Sequence, residues 1–419
     1  MARDAAVVWH GFTQMACYAD NAPVIVERGE GRELIDVDGR RYLDAISSLW
    51  VTTLGHHVPE LDQAVRDQLE LVAHSTMLGH GNRATIELAE ALAPVVPVDR
   101  PHFLFASDGA AAVEQALRIA LQHWTNMGEP GRAGYLAFAG AYHGDTIGSL
   151  SVGDGGFGTT VFAPLRFPVL RSPTGDAETA VAMIDAHAGE LAAVVLEPLV
   201  QGAAGMVLNE PGFVRAVADA CRANGVVLIC DEVATGMGRT GTLFALEQCG
   251  VQADIVCIGK GLTGGYLPMA ATVVGPRVYE SFLGEDLSER TLYHGHSYSG
   301  NALAAAVARR HLELFWEWDV LANVRTRAAQ LRERLAAAIV PLAAVTEVRQ
   351  CGLMVGVELA PPAEGLRWGR KVSAACVRRG VLIRSLGDVV VLMPILTSTA
   401  EEIDRIVDVL RASIDEVCR

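Results

Sequence analysis

The chain has 419 residues, 51% of them hydrophobic and 20% charged, with a formal net charge of −15. That length supports a large core divided between two domains. The negative balance excludes non-specific binding to nucleic acid or anionic membrane, and leaves small molecules as the expected partners.

The N-terminal stretch "MARDAAVVWH" has no apolar signal core, and no segment approaches the roughly 18 apolar residues of a membrane span. Eight cysteines show no paired spacing of the zinc or redox kind, so no metal is expected. Cys230 and Cys257 lie inside apolar runs, where a thiol acts as a small hydrophobe. These features predict a cytoplasmic protein.

In chain order, "VIVERGEGRELIDVDGRRYLD" has a hairpin pattern. From about residue 100 to 275, short apolar runs alternate with helical patterns. "HFLFAS" precedes a stripe of Val113, Leu117, Ala120, Leu121 and Trp124 at helical spacing. "AGYLAFAG", "LAAVVLEP", "GVVLICDE" and "ADIVCIG" are further apolar runs. Together they predict an α/β domain whose mostly parallel sheet is covered on both faces. Val324, Ala328, Leu331 and Leu335 then mark an amphipathic helix. Short strand candidates follow in "GLMVGVEL", "GVLIRS" and "VVVLMP". Thr399-Ala400-Glu401-Glu402 has capping-box spacing and opens a last helix. The expected division is residues 1–50 as an N-terminal segment of a small α+β domain, 51–312 as the large domain, and 313–419 as the C-terminal small domain.

Ligands of an open parallel sheet bind beyond the carboxyl ends of its strands. The polar residues that end the apolar runs are Ser107-Asp108-Gly109, Tyr142-His143-Gly144-Asp145, Glu197, Asp231-Glu232 and Lys260. The turn "ASDGAAAVEQAL" offers backbone N–H groups to a phosphate at a helix start; alone, it reads more readily as a tightly packed, capped helix. Asp231, at the end of "VVLIC", requires either a structural arginine or a protonated ring nitrogen. Lys260 stands between glycines after a buried run, where desolvation makes an amine nucleophilic. Phosphate, ring nitrogen and aldehyde sites together specify pyridoxal phosphate. "GMGRTG", residues 236–241, matches a dinucleotide pattern, but no convincing βαβ helix starts at it.

The blocks "ICDEVATGMGRTGTLFA" and "IVCIGKGLTGGYLPMAATVV" resemble the class III pyridoxal-phosphate aminotransferases, supported by "AYHGDTIGSLSVGD", "EPLVQGAAGM" and "HGHSYSGNALAAAVA". "WHGFTQM", "SSLWVTTLGHHVPELDQA" and "IRSLGDVVVLMP" resemble the biotin-biosynthetic branch of that class. The resemblance implies the fold-type-I architecture, a homodimer with shared active sites, and ping-pong transamination of 8-amino-7-oxononanoate. S-adenosylmethionine or lysine would be the donor. It further implies that Lys260 bonds the cofactor aldehyde and Asp231 holds the ring nitrogen. Gly109 and Ala110 would bind the phosphate, with Ser297 reaching it from the neighbouring subunit. Tyr142 and Val233 would cover the ring faces. Trp50, Phe12 and Tyr142 would line the substrate pocket, and Arg384 would take the substrate carboxylate. Gly11-Phe12 stands where the family has proline and an aromatic, Val51 replaces an aromatic, and Ala110 lacks a hydroxyl. The roles of His143 and Glu197 stay open. An ω-amino-acid or diamine transaminase is the nearest alternative, a mutase the next, then a non-catalytic binding protein, and a nucleotide-binding oxidoreductase resting only on "GMGRTG" the furthest.

Overall fold

The computed structural model describes residues 2–18, 21, 23–154 and 159–418. Seven strands form its central sheet: β1 (His102–Ala106), β2 (Gly134–Phe138), β3 (Leu170–Ser172), β4 (Leu191–Leu196), β5 (Val227–Asp231), β6 (Ile255–Ile258) and β7 (Ala270–Val274). Their order is β1-β7-β6-β5-β4-β2-β3. β7 runs antiparallel to both neighbours, and the remaining pairs are parallel. Every residue of β4 to β7 is buried. Alternate side chains enter separate cores: Leu228 and Cys230 join one, Val227 and Ile229 the other. That two-sided burial explains why these strands read as unbroken apolar runs.

Helix α1 (Gly109–Asn126) covers one face with Ala112, Val113, Ala116, Leu117 and Ala120. Helix α2 (Pro211–Ala223) covers the other with Phe213, Val214 and Val217. The eight cysteines are unpaired, and Cys230 and Cys257 are fully buried. Among the described residues no helix is long and apolar enough to cross a membrane.

The predicted N-terminal hairpin forms as Val26–Glu30, Glu33–Asp36 and Arg41–Asp44, and Val381–Leu382 joins its last strand in parallel. A second, antiparallel sheet contains Val345–Cys351, Met354–Leu359, Val389–Leu392 and Arg384–Leu386. Helix α3 (Val320–Ala338) buries Val324, Ala328, Leu331 and Leu335, the stripe visible in the sequence. Helix α4 (Ala400–Val417) packs beside it. At the start of α4, the Glu402 N–H donates to Thr399 Oγ1 at 3.3 Å, and the Thr399 N–H donates to Glu402 Oε2 at 2.8 Å. Arg32 Nε also donates to Glu402 Oε2 at 2.6 Å, which fastens the N-terminal sheet to the last helix.

Residues 236–241 do not start a helix; the next one is Leu246–Cys249. Arg239 of that turn is 1% exposed, and its guanidinium donates to Ser47 Oγ, Pro394 O and Thr52 O at 3.1, 3.0 and 2.8 Å. Burial pulls its basicity down to about 9. The "GMGRTG" turn is therefore a tie between distant segments through neutral acceptors for Nη1 and Nη2.

Thr399→Ala removes one half of the cap and should cost about 1 kcal/mol. The expected readout is a lower urea midpoint at unchanged m.

Candidate active site

The carboxyl ends of β2, β4, β5 and β6 and the start of α1 open on one cavity of about 570 Å³. Its walls include Trp50, Gly109, Ala110, Tyr142, Asp231, Val233 and Lys260, so seven of the site residues expected from sequence meet there. Phe12 and Arg384 line a second cavity, of about 680 Å³, together with Arg367 and Arg370. Ser297 lies in neither; it is exposed, and its carbonyl accepts from His74 Nε2 at 2.7 Å.

Lys260 follows β6 directly, and its φ is 43°. The tight turn Lys260–Thr263 requires the adjoining glycine: a Cβ on Gly261 would stand 2.9 Å from Met237 Cβ. The Lys260 ammonium lies 4.8 Å from the centroid of the Trp50 ring and makes no hydrogen bond among the described residues. Burial lowers its basicity, while the nearby carboxylates of Asp231 and Glu197 act in the opposite direction. A desolvated amine is a nucleophile at moderate pH.

Asp231 is 5% exposed, and among the described residues no arginine pairs with it. His143 Nδ1 lies 2.7 Å from its Oδ2, and the Val233 N–H donates to its Oδ1 at 3.0 Å. A carboxylate only accepts, so Nδ1 carries the hydrogen of that bond. His143 Nε2 is buried without a partner. Sequence reasoning left this histidine between a site role and a structural one. Its position directly after Tyr142 was the available signal.

Glu197 was likewise undecided. It accepts the N–H groups of Tyr142 and Gly202 at 3.1 and 3.0 Å, and so holds two cavity loops. Burial pushes its carboxyl up to about 7, opposed by His143 and aided by Asp231. The Tyr142 phenol is raised above its ordinary value by burial and then by Asp145.

At the start of α1, Asp108 accepts the Ala111 N–H at 2.9 Å, and the N–H groups of Gly109 and Ala110 have no acceptor among the described residues. These are the unpaired first-turn donors to which anions bind. Gly144, with φ of 122°, lets the Tyr142–Asp145 loop close over this turn, since its Cβ would fall 2.3 Å from that of Ala110. The residues present fit a phosphorylated pyridine aldehyde. The cavity brings together free N–H donors, an amine and a buried carboxylate; Trp50 Nε1 and His143 Nε2 are buried polar atoms without partners among the described residues.

The sequence is 43% identical to an adenosylmethionine-8-amino-7-oxononanoate aminotransferase of Nitratidesulfovibrio vulgaris, over 98% of this chain and 80% of that protein. The crystal structure of the like-named enzyme from Methanocaldococcus jannaschii superposes with a TM-score of 0.95 at 38% identity, covering 99% of this chain and 98% of the other. An omega transaminase from Pseudomonas jessenii in complex with PMP reaches a TM-score of 0.94 at 26% identity, covering 99% and 97%. The family model "Aminotransferase class-III" matches residues 15–414. A match of that extent establishes the family: the chain belongs to the class III aminotransferases, a family that implies dependence on pyridoxal phosphate.

Proposed function

We propose that the chain transfers an amino group to 8-amino-7-oxononanoate, giving 7,8-diaminononanoate for biotin biosynthesis, with S-adenosylmethionine or lysine as donor. The observation that carries the chemistry is a desolvated amine, Lys260, sharing one cavity with the Asp231–His143 pair and the free N–H groups of α1. The choice of acceptor is supported by relatives of that name at 43% identity, against 26% for an omega transaminase of the same fold.

When bound, pyridoxal 5′-phosphate supplies an aldehyde and a pyridinium ring that draws off carbanion charge. Gly109 and Ala110 hold the phosphate through backbone N–H groups, which compensates for the missing hydroxyl of Ala110. Asp231, oriented by His143, keeps the ring nitrogen protonated. Tyr142 and Val233 would pack against the ring. Lys260 Nζ would hold the aldehyde and would be the base that takes the proton from the donor α-carbon. Trp50 and Tyr142 wall the substrate. Arg384, with Phe12 beside it, receives the acceptor carboxylate through its planar fork.

We assign the working form to a cytoplasmic homodimer, in which Ser297 reaches the phosphate of the neighbouring site. The exposed side chains of Tyr293, Ser297 and Tyr298 on one loop, and eight unpaired thiols, support that reading. An omega transaminase activity is the second reading, favoured by the shared fold. Rescue of a biotin-requiring strain distinguishes the two.

Lys260→Ala should keep the fold yet lose turnover roughly a thousandfold or more. Borohydride treatment of the cofactor-loaded wild type should add the cofactor mass at Lys260 alone. Arg384→Ala should raise KM for the keto acceptor by about ten- to a hundredfold, the worth of a charge-assisted pair. A donor without a carboxylate should be affected less.

The cofactor-free protein should also report the burial of Lys260. Its folded pKa lies below the value of 10.5 for a free lysine, so the unfolded chain binds more protons between the two values and stability rises with pH there. Lys260→Met should therefore melt higher than wild type well below the lowered pKa. The gap should close as pH approaches the free-lysine value.

A further inference from the structure

Trp50 reaches Lys260 along an unusual backbone path. Ser47, Ser48 and Trp50 have φ of 52°, 59° and 66°, and Ser48 has ψ of −84°. None is glycine, and L-residues rarely adopt such conformations. A path of this kind persists only where its surroundings over-determine it, and it clusters at functional sites.

Here the determining group is one buried carboxylate. Asp44, 1% exposed, accepts the Ile46 N–H on Oδ1 at 3.2 Å and the Ser48 N–H on Oδ2 at 2.8 Å. His56 Nε2 lies 2.9 Å from the same Oδ2. His56 is itself anchored, because its N–H donates to Gly31 O at 2.6 Å. Ser47 Oγ donates to Met393 O at 2.7 Å, so the turn is pinned on both sides. The outcome is an indole that is 7% exposed, stands over Lys260 Nζ, and packs so closely on Gly202 that a Cβ there would be 3.0 Å from Cζ3.

We propose that Asp44, braced by His56, is a positioning residue for transamination: it holds the strained Ser47–Trp50 turn so that the Trp50 indole walls the keto-acceptor pocket beside Lys260 Nζ. The inference rests on the reading of Lys260 as the reacting amine and of Trp50 as a substrate wall. Asp44 touches neither substrate nor cofactor and acts through the backbone it clamps. An amide at position 44 presents one acceptor oxygen where the turn needs two, and its NH2 group would face an N–H donor.

The test compares Asp44→Asn, His56→Ala and His56→Gln in the cofactor-loaded enzyme, measuring kcat and KM separately for keto acceptor and amino donor. Asp44→Asn and His56→Ala should each raise acceptor KM about tenfold and change donor KM less. His56→Gln retains an N–H donor for Asp44 and should restore most of the wild-type value. In a double-mutant cycle, Asp44→Asn should add nothing to the acceptor defect of Trp50→Ala, because both act on one wall. Additive losses, or a lowered melting temperature with unchanged acceptor KM, would overturn the positioning role. If Asp44→Asn does not fold, the His56 pair and its own cycle with Trp50→Ala decide the matter alone. Lys260→Ala separates the two layers: continued turnover in that variant removes the underlying reading, whereas wild-type acceptor KM in Asp44→Asn and His56→Ala removes only this one.

Discussion

An ammonium group held out of water without a hydrogen-bonded counter-charge is the constraint around which this molecule is organised. Lys260 meets an aromatic face, and burial weakens its hold on a proton although two carboxylates lie close enough to strengthen it. A state of that kind is unfavourable for an isolated helix or loop. It is tolerable at the edge of a seven-stranded sheet whose interior strands are completely covered. The same exclusion of water strengthens the charge interactions of Asp231, since Coulombic terms grow as the local dielectric falls. Glu197 sits in that environment too, where burial pushes its carboxyl up to about 7 while its two oxygens clasp two loops through the Tyr142 and Gly202 N–H groups.

Precision at the site comes from turns pressed onto a rigid sheet. The Lys260 turn, the Tyr142–Asp145 loop and the Ser47–Trp50 segment each follow a path that ordinary residues avoid. The Tyr142–Asp145 loop and the Ser47–Trp50 segment are held by the buried carboxylates of Glu197 and Asp44. Arg239 contributes to this fastening by donating to the Ser47–Thr52 segment and to Pro394 at once. Because its acceptors are neutral, the tie does not add a carboxylate beside Lys260.

Strands β1, β2, β4, β5 and β6 were legible in the sequence because two-sided burial writes continuous apolar runs. The α3 stripe and the Thr399 cap were legible from period and spacing. β7 was not read as a strand, for it is built of small residues inside a recognisable motif, and its antiparallel direction leaves no local mark. Of the seven site residues that share the cavity, Gly109, Ala110, Tyr142, Asp231 and Lys260 could be foreseen because they punctuate strand ends or a helix start, whereas Trp50 and Val233 followed only from the resemblance to the family. The His143–Asp231 contact spans 88 residues and has no local signature. Phe12 and Arg384, expected at the substrate alongside Trp50 and Tyr142, line a different cavity from those two. A sequence shows that an arginine follows an apolar run, but not which of two clefts it enters. Nothing in "SSLW" announces left-handed serines either, since that path is imposed by Asp44 and His56.

The pairing of Val381–Leu382 with Arg41–Asp44 bears on how the chain is made. Arg32 waits for a partner 370 residues further along, and Ser47 for one 346 residues away. During vectorial synthesis the leading segment therefore leaves the ribosome long before its sheet can close. The central sheet can assemble meanwhile, because its strands lie closer together in the chain. Completion of the Trp50 turn then falls to the final stage, so a nascent polypeptide stays chemically idle until its tail has docked.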